Sequence, residues 1–589
     1  MTVQRNTGTG RPCRMAKNWA YMLACCGLWA ISGAWAQAPT QGELRDRALQ
    51  QELLQQQRED ALQRSRQAPD VRLDAGAQRP AGPELLPADE QPCFKIHRIE
   101  LTGEGREQFA WALAHADRSP AGVPDTPVGR CLGAEGVRAV MTRIQNTIIA
   151  RGYVTTRVLA APQNLNDGVL SLSVLPGRVR QVRSGVVSDE HRATWWNALP
   201  VQPGDLLNLR DIEQGLENFK RLSSVAVDIQ ITASAAPDAK PGDSDLVINW
   251  QQGLPLSVVL SVDDAGSRDT GVYQGNVTLV YDHAFTLHDQ VVFSVQHDLG
   301  GGRDGDRGSA SQSVQYTVPL GYWMFGVSGG SSRYHQTVFG QVADFRYSGE
   351  GRTGDVRLGR VLYRDGIHKL TATLKGWSRS SSNRVNDVEQ QTQRRKTGGW
   401  ELAMQHRAVW GGTILDLGLQ HRRGTGAFNA QPAASAPRVK IIAADAQLNH
   451  SFELAGVRLR HQASMRAQWN RGPVASQDRF GIGSRYTVRG FDGEQQLTGE
   501  RGWLVRQDLA WAPLSGGQEV YAGLDHGQVG GERAGATAEA GRSLTGAALG
   551  YRGSWQRVGF DVFMAWPLNA PRGLATSGSV TGFSLHSSF

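Results

Sequence analysis

The stretch Val457-Arg458-Leu459-Arg460-His461-Gln462-Ala463-Ser464-Met465-Arg466-Ala467-Gln468-Trp469 decides the fold. Val457, Leu459, Ala463, Met465, Ala467 and Trp469 share one face, and Arg458, Arg460, Gln462, Ser464, Arg466 and Gln468 take the other. A period of two is that of a β-strand, whose successive side chains point to opposite sides. Strands of a soluble sandwich average about five or six residues. This one is roughly twice as long, the length a tilted strand needs to cross a bilayer. One face then meets lipid, and the arginine-rich face lines a wet lumen. Trp469 stands at the strand end, where aromatic side chains gather at membrane interfaces, as do Trp503, Trp511 and Trp566.

The same alternation runs from about Leu254 to the last residue. Val291, Phe293 and Val295 alternate with Val292, Ser294 and Gln296; Val314, Tyr316 and Val318 alternate with Ser313, Gln315 and Thr317. Leu370, Ala372 and Leu374 alternate with Lys369, Thr371, Thr373 and Lys375. A plain count gives an odd number of strands, whereas a bacterial barrel with both ends in the periplasm needs an even one. Parity also requires long loops to fall on one side. Tight connections at Pro319-Leu320-Gly321, Trp410–Thr413 and Ala455-Gly456 are assigned to the periplasm. Long ones at Gly300–Gly308, Arg379–Arg395, Gly424–Pro437 and Arg471–Glu500 are assigned to the outside. Placing Gln336–Tyr347 in an external hairpin leaves a 16-stranded antiparallel transmembrane β-barrel over residues 254–589. Phe583, Leu585 and Phe589 share a face of the last strand and form its aromatic closing signal.

Upstream, Arg11, Arg14 and Lys17 precede the apolar stretch Trp19–Gly33 and the small-x-small site Ala34-Trp35-Ala36, which predicts a cleaved secretory leader over residues 1–36. An uncleaved anchor is disfavoured because the apolar core is short. A lipoprotein site at Leu23-Ala24-Cys25 leaves almost no apolar core before the cysteine. Met1 and Met15 are alternative starts. The leader carries four Lys/Arg and no acids, so the formal charge of +8 falls to +4, too little to argue for nucleic acid. Of the 5 cysteines, Cys93 and Cys131 then remain, in an oxidising compartment, and a disulfide between them is predicted.

Gln41–Gln67 reads as a polar helix with a thin stripe of Leu44, Ala48, Leu53, Leu54 and Leu62. A helix this polar lies in solvent or fills a polar space. Residues 69–92 read as a linker. Residues 93–176 and 177–253 read as two small α+β units, each in the order strand, helix, helix, strand, strand. The first takes its strand from Phe94, Ile96, Ile99 and Leu101. Helices near Gln108–Ala116 and through Val137, Met141, Ile144 and Ile148 follow, then strands Val154–Ala160 and Val169–Leu175. The second has strand Val179–Val182, helix Leu209–Leu222, and strands Val225–Ile231 and Leu246–Trp250.

Several motifs resemble the translocators of two-partner secretion, the TpsB type that exports haemagglutinin- and haemolysin-like exoproteins, over nearly the whole mature chain. Cys93-Phe94-x-Ile96, Cys131-Leu132 and Arg151-Gly152-Tyr153-Val154-Thr155-Thr156-Arg157 resemble that family's first POTRA domain. Asp264-x-Gly266, Thr270-Gly271-x-Tyr273-Gln274-Gly275 and Val318-Pro319-Leu320-Gly321-Tyr322-Trp323 resemble its barrel strands and turns. Val488-Arg489-Gly490-Phe491 resembles the motif of its external loop. The resemblance implies that this loop folds back into the barrel and that Arg489 meets an inner-wall aspartate. The family's partner motif is Phe-x-Asp-x-Gly; here Gly523-Leu524-Asp525-His526-Gly527 lacks the Phe. Val520, Ala522 and Leu524 read as lipid-facing, which independently turns Asp525 inward. The resemblance further implies that the helix within residues 37–68 occupies the barrel.

Enzyme-like patterns fail on context. Gly326-Val327-Ser328-Gly329-Gly330 lies within a strand and lacks the strand–turn–helix setting of a nucleophile elbow. Gly300, Gly302 and Gly305 precede no helix that would receive a phosphate. The expected protein is an outer-membrane translocator with periplasmic N-terminal domains. It exports an unfolded exoprotein, sits in outer-membrane lipid and relies on the barrel-assembly machinery for its own insertion. No cofactor, metal, catalytic residue or nucleic acid is expected. An insertase for other barrels is the alternative; a passive porin would not need the periplasmic units.

Overall fold

The computed structural model describes residues 49–59, 70–74, 85–119, 121–188, 193–340, 343–430, 438–472, 474–512, 517–531 and 542–589. The leader, most of the linker, the ends of the polar helix and part of the Gly424–Pro437 loop lie outside them.

The barrel closes as expected: 16 antiparallel strands run from Leu256–Asp263 to Val580–Ser588, and these two pair with each other. A two-residue hairpin strand at Val388–Glu389 sits on top of the wall without entering the cycle, because its neighbours, Phe345–Arg364's partner His368–Val385 and Arg395–Trp410, pair directly. Gln336 and Tyr347 face each other near the tip of an external hairpin. Strands are 8 to 20 residues long. The longest spans roughly 60 Å of extended chain, so it projects well beyond a hydrocarbon core about 30 Å thick. Val457, Met465 and Trp469 are exposed on the outer face. On the inner face Arg460 pairs with Glu519, and Gln462 donates to Asn449 at 2.8 Å. A soluble surface does not carry such a belt of exposed Leu, Val and Trp; a lipid-facing wall does.

The first POTRA unit packs helix α2 (Ala134–Ala150) on the three-stranded sheet Arg98–Thr102, Val169–Leu175 and Arg157–Leu159, with Val140, Ile144 and Ile148 buried against Leu170 and Leu172. Two expectations are corrected here. The segment near Gln108–Ala116 forms only a short 3₁₀ turn, Ala110–His115; Phe109 at its start offers no side-chain cap. The strand Val154–Ala160 shrinks to Arg157–Leu159, because the Arg157 guanidinium takes the carbonyls of Val154 and Thr156 that a longer ladder would use.

The second POTRA unit packs α3 (Leu209–Lys220) on Arg178–Val187, Asp243–Gln252 and Val225–Ala233. Asn208 caps α3, its side chain accepting from the Arg210 N–H at 2.9 Å. Among the described residues this unit has one helix, not two. Residues 193–199 form a turn whose polar groups bond to the barrel. Thr194 Oγ1 donates to the Thr286 carbonyl at 2.9 Å, and Asn197 Nδ2 donates to the carbonyls of Leu287 and Pro319 at 2.6 and 3.0 Å.

These contacts also fix the sidedness. The turns at 283–289 and 320–322 lie against the second POTRA unit, so they face the periplasm, as does the chain end, where Phe589 and Val258 exchange backbone hydrogen bonds of 2.9 and 3.1 Å.

Candidate functional site: a folded-in loop and an occupied lumen

The connection from Arg471 to Glu500 turns back into the barrel. It is not structureless: Phe480–Ile482 and Leu497–Gly499 pair as a small ladder. Phe480, Ile482, Val488, Phe491 and Leu497 form an apolar cluster with the wall residues Leu504, Val529 and Leu544. Apolar side chains thus drive a polar-looking loop inward.

The structure brings Arg489 and Asp525 together. The guanidinium binds the carboxylate bidentately, Nε to Oδ2 and Nη2 to Oδ1, each at 2.7 Å, and the Arg489 backbone N–H adds a third bond at 2.9 Å. Both residues are buried, Arg489 at 2% and Asp525 at 1% exposure. Such a fork fixes orientation as well as distance. Asp508, on the neighbouring strand, accepts from Arg489 Nη2 at 2.6 Å, and Arg552 in turn reaches Asp508 at 3.2 Å. Asp508 escaped the reading of the motif, yet alternation exposes it: Trp503, Leu509 and Trp511 face outward, so the even-numbered Arg506 and Asp508 face in.

Four glycines make the fit possible. Gly490 has φ +95°, and a Cβ there would lie 2.5 Å from the Trp566 carbonyl oxygen. A Cβ on wall residue Gly546 would lie 1.8 Å from the Arg489 carbonyl oxygen. At Gly523, where the family motif has Phe, a Cβ would approach Arg489 Nη2 to 2.4 Å, so in this chain the guanidinium occupies that space. Gly527 similarly passes close to Val488 and Ile482.

A second arginine of the loop reaches the closure seam. Arg485 pairs with Asp264, which also accepts from the Phe583 N–H at 2.9 Å. Leu585 and Phe589 are exposed on the lipid face beside this seam.

Residues 49–59 form helix α1, which lies inside the barrel. Its fixings are mostly amides and hydroxyls. Gln51 Nε2 donates to Ser267 at 2.8 Å, Gln57 Nε2 donates to Gln496 at 3.0 Å, and Ser484 donates to Gln57 at 2.7 Å. Leu53 is buried, and Arg58 pairs with Asp263 at the seam. The chain then reappears at the periplasmic rim, where Leu73 N–H donates to Glu213 at 2.7 Å.

That rim is a second buried ion cluster, which motif reading did not find. Arg364 meets Glu213 at 3.2 Å, pairs with Glu217 and donates to the Val71 carbonyl; Lys369 also pairs with Glu217. α3 and this strand lie 147 to 151 residues apart at these contacts, so no sequence spacing signals the cluster. Beside it, Tyr322 of the Pro-Leu-Gly-Tyr turn donates to Asp211, whose carboxyl burial pushes up to about 6. Cys93 and Cys131 are bonded, with Cα atoms 5.2 Å apart. Gly326–Gly330 lies within the strand Trp323–Val338, with no strand–turn–helix setting around it; the Ser328 hydroxyl donates to Asp355 at 2.7 Å across the ladder.

A closed barrel with a filled polar lumen, tied to two POTRA units on one side, defines an outer-membrane transporter of the two-partner secretion type. The chain belongs to the haemolysin secretion/activation protein family ShlB/FhaC/HecB, which matches residues 242–553, with a ShlB-type POTRA domain matching 94–177 and a further POTRA domain matching 178–233. It is 34% identical to the outer membrane transporter CdiB-2 of Burkholderia pseudomallei (strain 1026b), over 96% of this chain and 99% of that one. It is 27% identical to the outer membrane transporter CdiB of Dickeya dadantii (strain 3937), over 91% and 94%. The structure of CdiB from Acinetobacter baumannii superposes with a TM-score of 0.78 at 29% identity, covering 92% of this chain and 99% of that one.

Proposed function

We propose that the POTRA units capture an unfolded haemagglutinin- or haemolysin-like exoprotein in the periplasm, that α1 leaves the lumen, and that the exoprotein passes through in extended form and folds outside. Residues 1–36 act as a cleaved leader, and transport involves no catalytic step, metal or cofactor. The observation that carries the reading is the fixing of α1. Among the described residues it contributes no strand to the wall and is held mainly by side-chain hydrogen bonds, each worth about 1 kcal/mol net, beside the Arg58–Asp263 ion pair. A plug held this way can leave without unfolding the barrel. Capture by strand addition is supported by the exposed outer edge of the sheet at Arg178–Val187.

Deleting Gln41–Gln67 tests the plug. Ion conductance of the full barrel in planar bilayers rises several-fold while secretion is largely kept. Unchanged conductance would place the obstruction elsewhere.

A further inference from the structure

The periplasmic rim carries apolar surface that neither the barrel's span nor the POTRA core accounts for. In the segment 193–199, Asn197, Ala198 and Leu199 are buried and Trp195 packs on the POTRA core, yet Trp196 is 68% exposed. Its neighbours hold it level with the barrel turns: Thr194 bonds to Thr286, and Asn197 is wedged under Leu287 and Pro319. His288 Nε2 donates to the Thr194 carbonyl, tightening the same joint.

The surface around this joint continues the lipid-facing wall. Phe285, at 66% exposure, packs edge-on against Tyr316, which lies on the outward face with Val314 and Val318. Leu320 is 57% exposed and pairs across the turn with Trp323, itself exposed. Next to Trp323 is Arg360, whose guanidinium stacks over the indole at 4.8 Å from its centroid. Aromatic rings beside an outward arginine are the composition of a bilayer interface: rings among glycerol groups, the cation at the phosphates.

We propose that Trp196 of the second POTRA unit is seated in the periplasmic leaflet of the outer membrane. The occupant of this face is phospholipid. The tethering of Thr194 and Asn197, on either side of Trp196, to the turns that carry Phe285 and Leu320 argues for it, since those turns continue the outward belt of Tyr316 and Trp323 that meets lipid. The second POTRA unit is then held by the bilayer as well as by the barrel, which keeps it in line with the lumen.

The test uses the protein from Gln37 onward in nanodiscs, which leaves Cys93 and Cys131 as its native cysteines. Trp196→Cys is labelled with an environment-sensitive fluorophore under non-reducing conditions, where Cys93 and Cys131 are bonded. Phospholipid carrying a doxyl group near the headgroup end of its acyl chain is the quencher. Quenching at 196 is expected to exceed that at a Leu159→Cys control, on the first POTRA unit, by about threefold, as interfacial depth implies. Equal quenching at the two sites overturns the proposal. So does a response that appears only when outer-membrane protein extract is added to the nanodiscs, which would assign the face to a protein. Trp196→Phe, which keeps an aromatic ring, provides a second measurement. The tryptophan emission lost in that variant is expected to be the fraction quenched by brominated phospholipid; a lost fraction quenched by aqueous acrylamide alone overturns the proposal.

Discussion

Two pieces of chain share the lumen and are held by opposite chemistry. The Val488–Phe491 loop is fastened by a buried arginine between Asp525 and Asp508, by backbone pressed onto Gly546, and by an apolar cluster. Helix α1 is fastened by glutamines on hydroxyls and amides, with Arg58–Asp263 as its ion pair. Removing one partner of a buried ion pair leaves the other charge desolvated, at a cost of about 3–5 kcal/mol. Exchanging an amide–hydroxyl bond for water costs far less. The difference teaches that the loop is fastened as part of the wall, and it supports the proposal that the helix is the part that moves.

The largest effect follows from breaking the loop's clamp. Arg489→Ala exposes two carboxylates to each other in the lumen and is expected to cut exoprotein in the medium more than tenfold, at matched barrel levels in the membrane. Asp525→Ala acts alike, and the double variant loses less than the two together, because one interaction is removed twice. Full secretion by both single variants would reduce the loop to a passive filling.

The rim cluster sharpens the comparison from the other side. Arg364 uses the same ion chemistry as Arg489, but it joins domains and pins the linker at Val71. Arg364→Met leaves Glu213 and Glu217 short of a cation. It is expected to raise the rate of limited proteolysis in the linker several-fold while the barrel keeps its heat-resistant mobility on gels. An unchanged linker would mean that the apolar contacts of Val71 and Leu73 suffice.

A smaller effect is set by pH. His288 is wedged between Phe219 and Trp250, with His283 and Arg221 beside it, and burial lowers its pKa to about 3. Its neutral form is therefore required in the folded joint. That stability is complete above the unfolded value near 6.5 and is lost as pH falls toward 3, by up to about 1.4 kcal/mol per unit. Asp211, raised to about 6, runs the other way, its cost being relieved as pH falls below 6. The two slopes offset each other between about pH 6 and pH 4, so the joint is expected to loosen modestly between pH 6.5 and 6 in hydrogen exchange, and again below about pH 4. His288→Phe should remove that loss and leave protection rising as pH falls below 6; a profile unchanged by the substitution would contradict it.

Much of this was legible in the sequence because lipid and lumen impose alternation along every strand. Val520 and Leu524 facing out forced Asp525 in, and the same logic reaches Asp508. Loop lengths decided sidedness, and Gln336–Tyr347 restored parity. Other features depend on contacts distant in sequence. Arg364 meets Glu213 and Glu217 some 150 residues away, and no local pattern marks that meeting. The hold of the segment 193–199 on barrel carbonyls is equally silent in the sequence, as is the guanidinium of Arg489 lying against Gly523.

The central claim, that α1 must leave the lumen for export, is tested most directly by locking it there. Gln51 and Ser267 touch through the long Gln51 side chain, and Gln51→Cys with Ser267→Cys offers a pair that a short bis-methanethiosulfonate reagent, reversible by reductant, can bridge across that contact. In cells producing the exoprotein, the cross-linked pair is expected to stop its appearance in the medium, reductant is expected to restore it, and each single cysteine should secrete normally. Undiminished secretion by fully cross-linked protein would contradict the account.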